Sequence, residues 1–134
     1  MTLLIIDASI AAAWLLPDED NPRGQLWLER VITNGAFVPV IWHYEVRNVL
    51  RICERRGRLG SLAMTKALET IATLPITTGN LNGWDQVMRL SARHNLTIYD
   101  AAYLELALRL EGQLATFDRA LAAAAHAHGV LANL

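Results

Sequence analysis

Cysteine is nearly absent: Cys53 stands alone in 134 residues. One thiol cannot form an internal disulfide, and a zinc site built on several thiolates is excluded with it. Lysine is equally scarce. Eleven of the twelve basic residues are Arg, and Lys66 is the exception. Guanidinium forks suit planar, two-point contacts to carboxylate or phosphate. A surplus of one charge is missing too. The formal net charge is −1, which argues against holding nucleic acid by bulk charge but not against a local basic face. No uncharged apolar run is long enough for a membrane span. The opening stretch MTLLIIDASIAAAWLLP is apolar, but it has no basic leader and Asp7 interrupts it. An export signal is therefore not expected, and a cytoplasmic location is the default. There is no repeat, low-complexity tract or Gly/Ser linker.

What is present is a core. The chain is 53% hydrophobic and 19% charged, as expected of one globular domain over residues 1–134. LLII (3–6) reads as a buried strand ending at Asp7. Helical patterns follow at about 9–16 and 23–33. Ala36 to Pro39 reads as a second strand. A long helix is expected from about 41 to 56, stopping at Gly57, and another over 61–73, closed by Pro75. A third strand at 76–78 precedes helices at 83–95 and 98–111. Leu114 to Thr116 reads as a strand, 119–128 as a helix, and Val130-Leu131 as a last short strand. Strands alternating with helices predict an α/β fold with a mainly parallel sheet. Sites in such sheets form beyond the carboxyl ends of the strands.

Four carboxylates occupy unusual places. With Ile41 at zero on a helical wheel, Glu45 falls near roughly 40° and Val49 near roughly 80°, so Glu45 lies inside the apolar arc. A buried carboxylate is costly unless paired, protonated or bound to a cation. An ion pair with a distant Arg is the plain alternative. Asp100 points with Leu104 and Ala107, while Glu105 and Arg109 lie on the far side of its helix. Thr97-Ile98-Tyr99-Asp100 also fits a capping box, and taken alone capping is the better reading. Asp7 closes the first strand, and Asp118 precedes a helical pattern; each could simply be an N-cap. Together the four have a different meaning. Strand ends and helix starts meet at one rim of a parallel sheet, where converging carboxylates repel and raise one another's pKa values. A hard divalent cation such as Mg²⁺ or Mn²⁺ relieves that repulsion and suits phosphoryl chemistry.

LLIIDASI, the run Glu45-Val46-Arg47-Asn48-Val49-Leu50, the run Tyr99-Asp100-Ala101-Ala102-Tyr103 and Leu114-Ala115-Thr116-Phe117-Asp118-Arg119 occur in that order. Over essentially its whole length the chain resembles the PIN-domain ribonucleases, specifically the VapC-type toxins of toxin–antitoxin pairs. The resemblance implies a three-layer α/β/α sandwich and Mg²⁺- or Mn²⁺-dependent endonucleolytic cleavage of RNA. It also implies a cognate antitoxin and a homodimer. The family's acidic quartet falls on Asp7, Glu45, Asp100 and Asp118, as catalytic residues and metal ligands. Ser9, Asn48 and Thr116 match polar positions beside it. No unique general base is assigned.

Arg47, Arg51 and Arg55 recur at helical spacing. They read either as a solvated face or as a phosphate-contacting ridge. Trp14, Trp27, Trp42 and Trp84 are expected in the core or at an oligomer interface. The four His residues show no metal spacing. Asp85 is expected at the surface. The apolar residues Ile10 to Leu16, with Leu26, Trp27 and Val31, suggest a groove that an antitoxin helix could fill. Two rivals remain. A PIN-like module could bind RNA or protein without cleaving, although four costly acids argue against it. A small phosphatase of the Asp-x-Asp type is disfavoured because Ala8-Ser9 follows Asp7.

Overall fold

The structure, a computed structural model, describes residues 2–17, 21–80 and 82–134. Four short strands, β1 (Leu4–Ile6), β2 (Ala36–Val38), β3 (Ile76–Thr78) and β4 (Gln113–Ala115), form a parallel sheet in the order β3-β2-β1-β4. Among the described residues seven helices link them: α1 (Ala8–Leu15), α2 (Pro22–Asn34), α3 (Val40–Arg55), α4 (Ser61–Thr73), α5 (Trp84–His94), α6 (Ile98–Arg109) and α7 (Arg119–Ala127).

β1 is central and all three of its residues are buried. Ile5 pairs with Phe37 on one side and Leu114 on the other. A parallel strand covered on both faces needs an unbroken apolar run, and LII supplies one. β3 lies at the edge, and its two threonines are exposed.

The chain steps outward from β1 to β2 to β3, then returns past β1 to form β4. Right-handed crossovers change face when the direction of travel reverses. That places α1 to α4 in one layer and α5 and α6 in the other. The packing agrees: α1 lies against α2 and α3, α5 against α6, and α6 on β1 and β4. The result is an α/β sandwich whose switch point falls between the carboxyl ends of β1 and β4.

The expected elements occur with small shifts at their ends. α3 stops where Gly57 adopts φ 72. There the Arg58 N–H reaches the Cys53 carbonyl at 2.9 Å and the Gly57 N–H reaches Glu54 at 3.0 Å, a Schellman closure. The last expected strand is reduced to one rung. Leu131 bridges Leu114 in parallel, through bonds from Leu114 N–H to Val130 and from Ala132 N–H to Leu114. Gly129 turns through the left-handed region just before it.

A second departure concerns α6. Its far side is not solvent: Glu105 is 4% exposed. Arg109 folds over it, donating to Glu105 at 2.7 and 3.2 Å and to the Asn80 carbonyl at 3.1 Å. A two-point guanidinium contact makes a buried carboxylate tolerable. No described helix is long and apolar enough to cross a membrane.

Candidate active site

Asp7 is the first residue after β1 and the N-cap of α1. Its carboxylate is buried. One oxygen accepts the Ser9 hydroxyl at 2.6 Å and the Ile10 N–H at 3.2 Å. The other accepts the Thr116 hydroxyl. Burial pushes the Asp7 pKa up, and the donors from Ser9, Thr116 and the α1 backbone pull against it.

Thr116 follows β4, so this contact joins the two strand ends at the switch point. The Thr116 oxygen also accepts the Asp118 N–H at 3.0 Å, and the Ser9 oxygen accepts the Phe117 N–H at 3.0 Å. Asp118 is exposed at the start of α7, where its carboxylate accepts the Leu121 N–H at 2.9 Å. Asp7, Ser9, Thr116 and Asp118 thus form one connected hydrogen-bonded cluster.

Asp100 enters from α6. Thr97 caps that helix by accepting the Asp100 N–H at 3.0 Å, which leaves the half-buried Asp100 side chain free of the capping task. Its pKa is raised to about 6, first by burial and then by the charges of Asp118, Glu45 and Asp7. Asp100 thus lies close enough to feel the carboxylates at the end of β1, on α3 and at the start of α7.

Glu45 comes from α3, where it is half-buried, and accepts the hydroxyl of Tyr103. Tyr103 is 1% exposed. Burial, then the Glu45 carboxylate, holds its hydroxyl far above the ordinary phenol range. Sequence reasoning gave Tyr103 no role in the site, naming it only at the end of the run Tyr99 to Tyr103. The available signal was its spacing: it follows Asp100 by three positions and so shares its face of α6.

Among the described residues no group of three or more His, Cys, Asp or Glu side chains is assembled to hold a metal ion. The chemistry of the donors nonetheless fits one. All are carboxylate or hydroxyl oxygens, as hard divalent cations require, and the repulsion felt at Asp100 is what such a cation relieves.

Beside Glu45 an open groove of about 580 Å³ runs along α3. Arg47, Asn48, Arg51, Tyr44 and Tyr99 line it. Arg47 donates to the His43 carbonyl at 3.0 Å, and Arg51 pairs with Glu54. Arg55 is exposed outside this lining. Trp27 and Trp42 are core residues, Trp14 is half-buried, and Trp84 is 63% exposed. Asp85 is exposed in the first turn of α5.

Of the residues anticipated for an apolar groove near the N-terminus, Ile10, Leu16, Trp27 and Val31 are buried, because α1 packs between α2 and α3, and Leu26 is exposed. Trp14 and Leu15 do line a cleft, of about 270 Å³, between the end of α1 and α4, together with Pro17, Ala63 and Ala67.

The PIN domain family model matches residues 4–127. Ribonuclease VapC3 of Pyrobaculum aerophilum is 31% identical over 125 residues, spanning 89% of this chain and 92% of that protein. Ribonuclease VapC9 of Mycobacterium tuberculosis is 33% identical over 117 residues, spanning 87% and 86%. The crystal structure of PAE2754 from Pyrobaculum aerophilum superposes with a TM-score of 0.72 at 24% identity, covering 92% of this chain and 79% of that one. FitAcB from Neisseria gonorrhoeae gives 0.62 at 16% identity, covering 92% and 94%. These two structures share the fold.

Proposed function

The chain belongs to the PIN-domain family, and on that premise we propose that it is a Mg²⁺- or Mn²⁺-dependent endoribonuclease, the toxin of a toxin–antitoxin pair, acting in the cytoplasm. The observation that carries this reading is Asp100: its carboxyl is raised to about 6 in part by Asp118, Glu45 and Asp7. Acids brought to one rim weaken an apo fold by repulsion, and a bound divalent cation would offset that cost.

The roles follow from position. Asp7, Glu45 and Asp100 would hold the metal, directly or through water, and Asp118 would complete the cluster or orient the attacking water. Bound there, a divalent cation supplies charge neutralisation for the scissile phosphate and for the oxygen that leaves. Ser9 and Thr116 fix the Asp7 carboxylate by donating to its two oxygens. Asn48 projects into the groove beside Glu45. Arg47 and Arg51 line the same groove and would contact substrate phosphates. Arg55, one turn further on, would contact the strand as it leaves.

A cognate antitoxin and a second copy of the chain are the proposed protein partners. What supports the homodimer is an exposed apolar patch of Tyr44, Trp84, Ile98 and Tyr99, where α3, α5 and α6 come together. A monomeric mass in light scattering at micromolar concentration would remove it.

The deciding experiment is cleavage of total cellular RNA with Mg²⁺ or Mn²⁺ by the wild type and by Asp100→Asn. Loss of cleavage with an unchanged or slightly higher melt supports the assignment; unchanged cleavage overturns it. The rival reading, a non-catalytic PIN-like module, has one observation on its side: no three side chains are preassembled for a metal among the described residues. It requires RNA or protein binding with no metal-dependent cleavage.

A further inference from the structure

We propose that Tyr103 is a positioning residue of the active site, whose buried hydroxyl fixes the Glu45 carboxylate in its metal-binding orientation. This rests on the catalytic reading above and adds a residue to it.

The four acids differ in how they are held. Asp7 is fixed by Ser9, Thr116 and the Ile10 N–H, and Asp118 by the Leu121 N–H. Asp100 has only two side-chain torsions and sits in a capped first turn. Glu45 is the long one. It stands mid-helix on α3, where no helix-end N–H can reach it, and it has three torsions to restrain. The Tyr103 hydroxyl supplies that restraint from a different element, joining α6 to α3 across 58 positions of sequence.

A phenol suits the task. It is a neutral donor, so it adds no charge to a site already crowded with negative ones. An ordinary phenol is protonated at neutral pH and so serves as a donor. Its ring is wedged in the core and cannot swing away. Asp100 and Tyr103 lie one turn apart on one rigid helix. α6 thus carries one acid itself and orients another through the phenol. Groups that orient a metal ligand commonly alter metal affinity or activity by roughly 10–100-fold when removed.

The plain alternative is that the hydroxyl merely satisfies its own buried polar atom. Tyr103→Phe separates the two, because it removes one oxygen and keeps the ring. Mn²⁺ binding by the whole chain is followed by calorimetry, alongside the melt in chelator and the kinetics of RNA cleavage. The expected result is Mn²⁺ affinity weakened by about tenfold and a similar or larger fall in kcat. KM for RNA should stay close to wild type, and the metal-free melt should fall only modestly, as for one hydrogen bond lost to a half-buried carboxylate. Unchanged Mn²⁺ affinity overturns the proposal, as does a lowered melt with Mn²⁺ affinity intact.

A second variant tests the route through Glu45. Tyr103→Phe combined with Glu45→Gln should bind Mn²⁺ no more weakly than Glu45→Gln alone. Additive losses overturn the proposal. Mn²⁺ binding without RNA cleavage by the wild type would defeat the ribonuclease reading while leaving this test intact; absence of Mn²⁺ binding would defeat both.

Discussion

The Thr116 hydroxyl donates to the Asp7 carboxylate across 109 positions of sequence, and the same oxygen accepts the Asp118 N–H. One side chain therefore ties the end of β1 to the end of β4 and sets the start of α7. Replacing it with the isosteric valine removes both functions without changing volume. Thr116→Val should cost about 2 kcal/mol in a urea melt, in keeping with a lost hydrogen bond to a buried carboxylate. RNA cleavage should fall by at least about tenfold. A neutral result in both would show that Asp7 is held adequately from α1 alone.

The pH dependence of the metal-free protein has a definite sign. Asp100 has its pKa raised from 3.8 to about 6. A carboxyl that binds its proton more tightly when folded stabilises the fold below its unfolded pKa, and that stability is lost as pH rises through the folded value. Between pH 4 and 6 the metal-free wild type should therefore lose stability relative to Asp100→Asn, and above that the gap should be flat. Because Asp100 is only half-buried, solvent screening trims the effect to about 1 kcal/mol. Paired melts at pH 4.5 and 7.5 in chelator measure it. A gap that widens toward acid would contradict the assignment.

Divalent cation should reverse that penalty. A ligand that binds only the folded chain stabilises it by about 2.7 kcal/mol at a hundred times its dissociation constant. Mn²⁺ should raise the melting temperature of the wild type, and the rise should shrink in Asp7→Asn, Glu45→Gln and Asp100→Asn. An equal rise in all three would place the cation elsewhere.

The groove along α3 makes a ranking of the arginines testable. Arg47 and Arg51 line it and Arg55 does not. With Asp100→Asn as background to prevent cleavage, Arg47→Ala and Arg51→Ala should each weaken RNA binding and lower the salt slope by about one unit. Arg55→Ala should have the smallest effect of the three.

Away from the rim, Gly83 and Glu105 are locked together. Gly83 has φ 77, and a Cβ there would stand 2.2 Å from a Glu105 oxygen. Gly83→Ala should destabilise by about 2 kcal/mol or more, through strain and contact together. Arg109→Ala should cost about 3 kcal/mol by stranding the Glu105 carboxylate. Both should leave per-molecule cleavage in the folded fraction largely intact, since Glu105 lies outside the rim.

The element order and the parallel sheet were legible because the pattern of short apolar runs and helical stretches is strong and its punctuation is clear. Gly57 and Pro75 end helices by local chemistry alone. The acids were legible as anomalies: a carboxylate on an apolar face is visible on a wheel. What sequence could not give was tertiary pairing. Tyr103 is amphipathic, and whether its hydroxyl meets a partner depends on where α3 passes. Glu105 looked peripheral because a wheel records angle and not what another segment covers. The Val130-Leu131 strand was too short for propensity to fix, and it survives as a single rung. The N-terminal groove is narrower than expected for the opposite reason: the apolar faces of α1 and α2 largely cover one another, and Trp14 and Leu15 are left to line a cleft.

The four acids sit at positions 7, 45, 100 and 118 of a 134-residue chain. Each comes from a different element, and the last is anchored only when α7 begins. No fragment that stops short of Asp118 carries all four, so a single proteolytic cut anywhere between positions 7 and 118 separates at least one acid from the rest. A nicked chain would keep the rim only while its pieces stay associated.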